Sequence, residues 1–179
     1  MDFGFYTPVN LGNLVWHDRN NNGLVDSGEE GIDGVPVQLY TAGQTPGRDA
    51  PIAVAVTSGG GAYGFPNLAP GRYIVYLPTP PAAYPTSSAA TSEHDDGIDN
   101  DDNGSQATTG QPVVSPVIVL TSGGEAITDG DGANGDLTVD FGFFVFDLAL
   151  RKRVATLSDS PLIPGQSTVT FAIDCYQPG

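Results

Sequence analysis

The segment from Asp18 to Glu29, DRNNNGLVDSGE, carries oxygen-bearing side chains at its first, third, fifth, ninth and twelfth positions and a glycine at its sixth. This is the spacing of the EF-hand calcium loop. Ca²⁺ takes six to eight oxygen ligands, and the glycine allows the chain to turn sharply between them. We predict one Ca²⁺ site here, as against a plain Asn- and Gly-rich turn. Its ligands would be Asp18, Asn20, Asn22, the Leu24 carbonyl, Asp26 and a bidentate Glu29.

The sequences that flank this loop are typical of β-strands. Upstream lies LGNLVWH and downstream GIDGVPVQLY, and neither has apolar residues at helical spacing. A calcium loop between strands has no helix pair to open when the ion binds, so the site is expected to be structural and not signalling.

Acidic residues dominate the charge of the chain. There are 21 Asp and Glu against 6 Lys and Arg, giving a net charge of −15 at pH 7. Five, six and five of the acids fall within residues 18–33, 93–102 and 125–140. Such a surface repels nucleic acid and anionic membranes and attracts cations. We therefore expect no nucleic-acid partner, and without a long apolar run we expect no direct membrane insertion.

Two further acidic segments could complete additional calcium sites. Within EHDDGIDNDDNG, residues 93–104, the run that begins at Asp99 repeats the first half of the loop pattern, but its twelfth position is Gly110, which supplies no carboxylate. The other segment, TDGDGANGD, spans residues 128–136. One or two more ions could be shared between these loops, as against a solvated acidic surface. The candidate ligands are Asp95, Asp99, Asp101, Asn103, Asp129, Asp131 and Asp136.

Short β-branched or aromatic runs separated by Gly, Pro and Asp predict an all-β sandwich of about seven strands with long calcium-binding loops. The stretch 79–112 begins with several prolines and is predicted to be a rigid loop tied down by metal. The predicted strands are residues 11–17, 35–40, 52–57, 62–65, 72–78, 113–120 and 137–146.

A short internal sequence repeat indicates the domain boundaries. DFGFY at residues 2–6 returns as DFGFF at residues 140–144. We predict that residues 1–10 are the terminal strand of a preceding repeat plus a linker, and that residues 11–146 are one complete module. Residues 147–179 would be the first strands of an incomplete following domain, because two strands cannot bury a core alone.

Catalysis is not expected. His17 and His94 are the only histidines, and no nucleophile motif accompanies them. The carboxylates lie mostly in presumed ion loops, where a metal would use their charge. Cys175 is the only cysteine, so no intrachain disulfide can form.

A carbohydrate- or protein-binding β-sandwich module is the alternative function. Exposed aromatic side chains would form its platform. Trp16, Tyr63, Tyr73 and Tyr76 follow strand periods and are predicted to be core, which leaves Tyr84 as the best exposed candidate.

Three segments together carry a family resemblance. GNLVWHDRNNNGLVDSGEEGIDGVPVQLY, AVTSGGGAYGFPNLAPGRYIVYLP and the closing DFGF resemble the SdrD B-like domain of bacterial surface adhesins, within the wider Cna protein B-type group, over about three quarters of the chain. The resemblance implies a Greek-key sandwich of the CnaB, prealbumin-like type. By motif match, the family's loop ligands correspond to Asp18, Asn20, Asn22, Asp26 and Glu29.

The resemblance also implies a role and a location. It implies a non-catalytic, calcium-stabilised module of a secreted stalk or filament, at the cell surface or outside the cell, that presents an adhesive region to an unknown host or matrix ligand. Partners would be neighbouring repeats or identical subunits, joined end to end or by strand addition. The tail from Asp147 resembles the opening strands of DUF11-type or isopeptide-forming Ig-like repeats.

The distribution of lysine separates this chain from many of the wider group, which join strands by a Lys–Asn isopeptide bond. Lys152 is the only lysine, so residues 1–151 cannot form such a bond internally. Calcium would then be the clamp of the main module.

Overall fold

The computed structural model describes residues 5–89, 99–125, 127, 130, 132–145, 149–157, 161, 163–164, 166 and 168–176 of the chain. Within these residues every regular element is a β-strand. The chain divides into two compact units, Met1–Val145 and Phe146–Gly179. The limits of the predicted domains, and the preceding and following repeats, remain predictions.

The described part of the first unit contains eleven strands, several of only two residues. They are Val9–His17 (β1), Pro36–Thr41 (β2), Ala53–Val56 (β3), Ala62–Leu68 (β4), Gly71–Leu77 (β5), Thr86–Ser87 (β6), Ser105–Gln106 (β7), Val113–Val114 (β8), Ile118–Leu120 (β9), Gly135–Asp136 (β10) and Phe141–Phe144 (β11).

These strands form two sheets. In the first, β1 pairs with β4 in the antiparallel sense and with β10 and β11 in the parallel sense, while β6 follows β11. In the second, the order is β3, β2, β5, with β8 and β9 both on β5 and β7 on β8. The all-β sandwich predicted from the sequence is confirmed.

The core lies between the sheets and follows the alternation of each strand. In β5, Tyr73, Val75 and Leu77 are buried. Trp16 and Tyr63 are buried as predicted. The remaining members include Leu11, Val37, Leu39, Phe65, Ile118, Phe141 and Phe143.

Two strand predictions and one loop prediction were wrong in detail. Residues 113–120 form two strands and not one, because Pro116 has no amide to donate and Ser115 bonds to Val75 through both its amide and its hydroxyl. The stretch 79–112 contains β6 and β7, and the last strand of the unit begins only at Phe141.

Two glycines let the loop after β1 pack against the turn before β4. A Cβ on Gly61, whose φ is 84°, would overlap the Val15 carbonyl, and one on Gly31 would overlap the Gly60 carbonyl. Asp33 accepts hydrogen bonds from the amides of Gly60 (2.9 Å) and Gly61 (2.7 Å), which lower its pKa. This packing fixes the end of β1, from which the acidic loop emerges.

The described part of the second unit is an antiparallel pair, Ala149–Leu157 (β12) and Val169–Tyr176 (β13), as the tail sequence predicts. Arg153 pairs with Asp174 at 2.9 Å, and the Lys152 ammonium lies 3.9 Å from the centroid of the Phe171 ring.

Candidate metal centre

Asp18 follows β1 directly and is fully buried. Its Oδ1 accepts a hydrogen bond from the Asn22 amide at 3.2 Å, and its Oδ2 accepts from the Gly23 amide at 2.8 Å and the Ser88 hydroxyl at 2.7 Å. Gly23 has a φ of 76°, which a side chain would strain. The sixth position therefore makes the turn that the motif predicts.

Glu29 closes the loop from its other end. Its Oε1 accepts from the Arg19 amide at 2.7 Å, and its Oε2 accepts from the Trp16 indole at 3.2 Å and the Asp26 amide at 3.1 Å. The twelfth position is thus held beside the second and ninth, next to the buried end of β1.

The two asparagines and Asp26 face one another. The side-chain amides of Asn20 and Asn22 each donate to Asp26 Oδ2 at 2.8 Å. A half-turn of each amide about its last torsion would present an oxygen where it now presents N–H, and that torsion is soft. The donor set therefore fits a hard cation such as Ca²⁺.

The arrangement as it stands is closed by hydrogen bonds. Among the described residues, no three His, Cys, Asp or Glu side chains are grouped as they would be around an ion. Asn20, Asn22 and a backbone carbonyl supply half of the predicted ligands, so this does not count against the loop.

The second acidic segment lies against the first loop through backbone hydrogen bonds. The Val25 amide donates to the Asn100 carbonyl at 2.9 Å, and the Asp102 amide donates to the Gly23 carbonyl at 2.8 Å. Between them Leu24 and Asp101 form an antiparallel bridge. The two acidic segments thus form one structure.

Asp102 is fully buried where these segments meet β11. Its Oδ1 accepts from the Gly142 amide at 2.8 Å, while its buried Oδ2 has no hydrogen-bond partner. Burial raises the pKa of this carboxyl well above its usual range, and the charges of Asp18 and Asp101 raise it further. A cation nearby would reverse that penalty.

Asp140 is the third fully buried carboxyl, after Asp18 and Asp102. Its oxygens accept from the amides of Leu14 at 2.8 Å and Asn100 at 2.9 Å. Burial raises its pKa to about 8, against these hydrogen bonds, with added repulsion from Asp99 and Asp101.

The other ligand candidates of the second segment lie in the same place. Asp99 accepts from the Asn13 side chain at 2.6 Å. Asp101 and Asn103 are buried, and Asn103 Oδ1 accepts from the Asp140 amide at 2.8 Å. The structure therefore joins Asp101 to the Asp18–Glu29 loop through its bridge with Leu24, whereas Asp99 and Asn103 contact Asn13 and Asp140 beside it.

Asp136, the described ligand candidate of the third segment, is not brought there. Asp136, on β10, pairs with Leu11 near the start of β1, about 23 Å of strand from Asp18 at roughly 3.3 Å per residue. Its Oδ1 accepts from the Thr138 hydroxyl at 2.7 Å. Asp95, Asp129 and Asp131 lie outside the described residues.

Asp102, Asp140 and Ser88 belong to the site but not to the predicted ligand set. A signal was present for Asp140, which interrupts the apolar run from Val139 to Phe144, where a buried charge needs a partner. Ser88 has no such signal, because only the fold brings it to Asp18.

Tyr84 is not the exposed platform that the sequence predicted. Its ring is half-buried and stacks on His17 with centroids 3.9 Å apart. Burial, and then the charge of Arg19, lower the pKa of His17. Tyr84 instead forms one wall of a cleft of about 520 Å³, with Ile32, Asp33, Val35, Pro36, Pro80 and Pro81 among its other lining residues.

The fold and the site define a class of protein: a β-sandwich module with an EF-hand-type acidic loop at the end of its first strand. Residues 9–142 match the family model of the SdrD B-like domain. The chain therefore belongs to the SdrD B-like domain family.

Similar proteins carry this domain as a small part of a long chain. Serine-aspartate repeat-containing protein D of Staphylococcus aureus (strain Newman) is 39% identical over 124 residues, which is 69% of this chain and 9% of that protein. Protein F of Staphylococcus epidermidis (strain ATCC 12228 / FDA PCI 1200) is 38% identical over 89 residues, 49% of this chain and 5% of that protein. The matched region thus spans less than a tenth of these curated relatives. In the part of the chain that the structure describes, no helix has the length and apolar character to cross a membrane.

Proposed function

We propose that the chain is a non-catalytic structural module of a bacterial extracellular stalk or filament, and that Ca²⁺ bound in its acidic loops makes it rigid. The observation that carries the proposal is the joining of the Asp18–Glu29 loop to the Asn100–Asp102 segment, with the unpartnered Asp102 Oδ2 buried where this segment meets β11. Uncompensated carboxylates in one buried place cost stability, and a cation is the simplest compensation.

The residues of the first loop would hold one ion. They are Asp18, Asn20, Asn22, Asp26 and Glu29 with the Leu24 carbonyl. Bound there, Ca²⁺ would supply two positive charges and several oxygen links between parts of the loop. For a further ion, Asp101 and Asp102 are better placed than Asp136, because they are hydrogen-bonded or bridged to the first loop.

The charge distribution supports this mechanism. Residues 1–146 hold 18 acidic and three basic residues, so the whole net charge of −15 lies there, while residues 147–179 are neutral. Repulsion among the acids opposes compaction unless cations bind. Rigidity would therefore depend on calcium.

A thermal melt of the full chain tests the proposal. We expect a large rise in melting temperature with Ca²⁺ over chelator that Mg²⁺ does not reproduce. When the free Ca²⁺ concentration is a hundred times the dissociation constant of a site, the ion bound there adds about 2.7 kcal/mol to the free energy of unfolding. An unchanged melt would overturn calcium binding and leave the family assignment intact.

The repeated sequence at residues 2–6 and 140–144 suggests the partners of the module. Phe5 and Tyr6 of the first copy are 95% and 58% exposed, whereas Phe141 and Phe143 of the second are fully buried. The first copy is thus available to a neighbouring repeat or an identical subunit, end to end or by strand addition. Removing residues 1–6, which end before β1, should abolish any such assembly, and intact assemblies without them would refute this contact.

A protein-binding module is the second candidate, favoured by the cleft beside Tyr84. Its walls are largely apolar, and Asp33 at its rim stays ionised because two backbone amides lower its pKa. An extended peptide with one basic residue would suit it. The test measures binding of a basic and of an uncharged peptide library to the protein and to its Tyr84→Ala variant. If the two libraries bind equally, and the variant binds them as well as the wild type does, this site is excluded.

A further inference from the structure

The strand β3 ends the second sheet. It pairs with β2, through Val37 with Ala55 and Gln38 with Val54, and no described strand is hydrogen-bonded to its other side. Such an edge presents unpaired backbone groups to the solvent.

The phase of the β2–β3 hydrogen bonds shows which groups face outward. The Thr57 amide donates to the Val35 carbonyl at 3.0 Å. In an antiparallel pair the bonded residues alternate, so Ala55 also points its backbone groups toward β2. Val54 and Val56 therefore point their N–H and C=O groups away from the sheet, at the free edge.

This edge lacks the usual protection. Residues 50–58, APIAVAVTS, contain no charged residue, and there is no proline or glycine within β3 itself. Ile52, Val54 and Val56 are 48%, 60% and 58% exposed. Edge strands of soluble proteins usually carry lysine, proline or a bulge to prevent pairing. The edge is limited instead by the short length of β3, by Pro51 before it, and by the bridge between Ser58 and Ala62 after it.

We propose that β3 pairs in the antiparallel sense with β3 of a second copy, about a two-fold axis at Ala55. In that register the backbone N–H and C=O of Val54 bond to the backbone of Val56 in the second copy. The backbone of Val56 bonds in the same way to Val54 of the second copy, so four backbone hydrogen bonds form. A two-fold contact requires one patch to complement itself. The two outward-facing valines lie symmetrically about Ala55, so β3 meets that requirement.

Charge also favours a second copy that meets at this edge. Two chains of net charge −15 repel wherever their acidic loops approach. Residues 50–58 themselves carry no charge that would oppose the pairing. Four residues make a weak contact, but neighbouring repeats would raise its effective concentration to about the millimolar range. Weak pairing would then associate adjacent stalks side by side.

Cross-linking of the full chain tests the register. With Cys175→Ser as background, Ala55→Cys would place two cysteines at a non-hydrogen-bonded pair, about 4.5 Å between Cα atoms, within the range of a disulfide. We expect Ala55→Cys to form covalent dimers under mild oxidation faster than Val119→Cys, an exposed control on β9 of the same sheet. Equal rates in the two variants would overturn the proposal.

Sedimentation of uncross-linked protein tests the contact itself. The Val54→Lys side chain would remain in solvent, so folding is preserved, yet it puts charge at the pairing edge. We expect self-association about tenfold weaker than in the wild type and in Val119→Lys, and tighter wild-type pairing as salt rises. A wild-type chain that is monomeric at every concentration and salt level, or equal effects of the two lysines, would show the idea to be wrong.

Discussion

The hydroxyl of Ser88 donates a 2.7 Å hydrogen bond to Asp18 Oδ2 inside the protein, joining residues 70 positions apart. The contact ties the first ligand position of the acidic loop to the strand region that leads toward the second acidic segment. It also means that Asp18 is held in place by the fold before any ion is considered.

Replacing Ser88 should therefore destabilise the protein both with and without calcium. We expect Ser88→Ala to lower the free energy of unfolding by about 1–3 kcal/mol, because a buried carboxylate oxygen loses a donor. Urea unfolding in chelator measures this. Ser105→Ala, at an exposed serine, is the matched control and should change stability by less than about 0.5 kcal/mol.

Replacing Glu29 should mainly remove the response to calcium. In Glu29→Gln the closing ligand loses its charge, so the calcium-induced rise in melting temperature should shrink by the equivalent of about 1.4 kcal/mol per tenfold loss of affinity. Glu30→Gln changes the adjacent, exposed acid, which pairs with Arg19, and should keep the full response. Loss of the response in both variants would point to general charge screening.

Stability in chelator should fall as pH rises from 5 to 8. The pKa of Asp140 is about 8 when folded and near 3.8 when unfolded, so the folded state holds the extra proton between these values. Its contribution is complete below the unfolded pKa and is lost as pH passes the folded pKa, with a slope of up to about 1.4 kcal/mol per pH unit.

The variant Asp140→Asn should flatten this slope in denaturation curves recorded across that pH range. Asp33→Asn should not, because the pKa of Asp33 is lowered and its effect falls below the range. Saturating calcium should also reduce the slope, since a cation favours the ionised carboxyl.

The variant Gly61→Ala should be far more harmful than Gly59→Ala. Both glycines have positive φ, 84° and 67°, so both substitutions cost about 1 kcal/mol of backbone strain. Only at Gly61 does the new Cβ also meet the backbone of Val15 and Gly31. We expect about 1–3 kcal/mol of additional loss in urea unfolding, and equal losses would contradict the close packing of these loops.

The regular part of the fold could be predicted from the sequence because its signals are local. Alternation in β5 and the turn glycines of the Asp18–Glu29 loop each act over a few residues. The break at Pro116 follows from the missing amide, but apolar residues on both sides hide it in the pattern.

The site could be predicted only in part, for a different reason. The spacing of Asp18, Asn20 and Asn22 is a local signal, whereas the docking of Asn100 on Val25 depends on how the strands are ordered. Asp18→Ala illustrates the consequence. The motif alone predicts no effect in chelator, but the bonds from Ser88 and Gly23 predict a loss there too.

The parallel pairing of β1 with β11 has a mechanical consequence. Val15 lies beside Phe141 and His17 beside Phe143, so β1 and β11, the first and last described strands of the first unit, run in the same direction. If tension is applied to the two ends of the module, these strands slide past each other, and their hydrogen bonds must break together instead of one at a time. The order of the strands thus gives the module resistance to stretching along the chain.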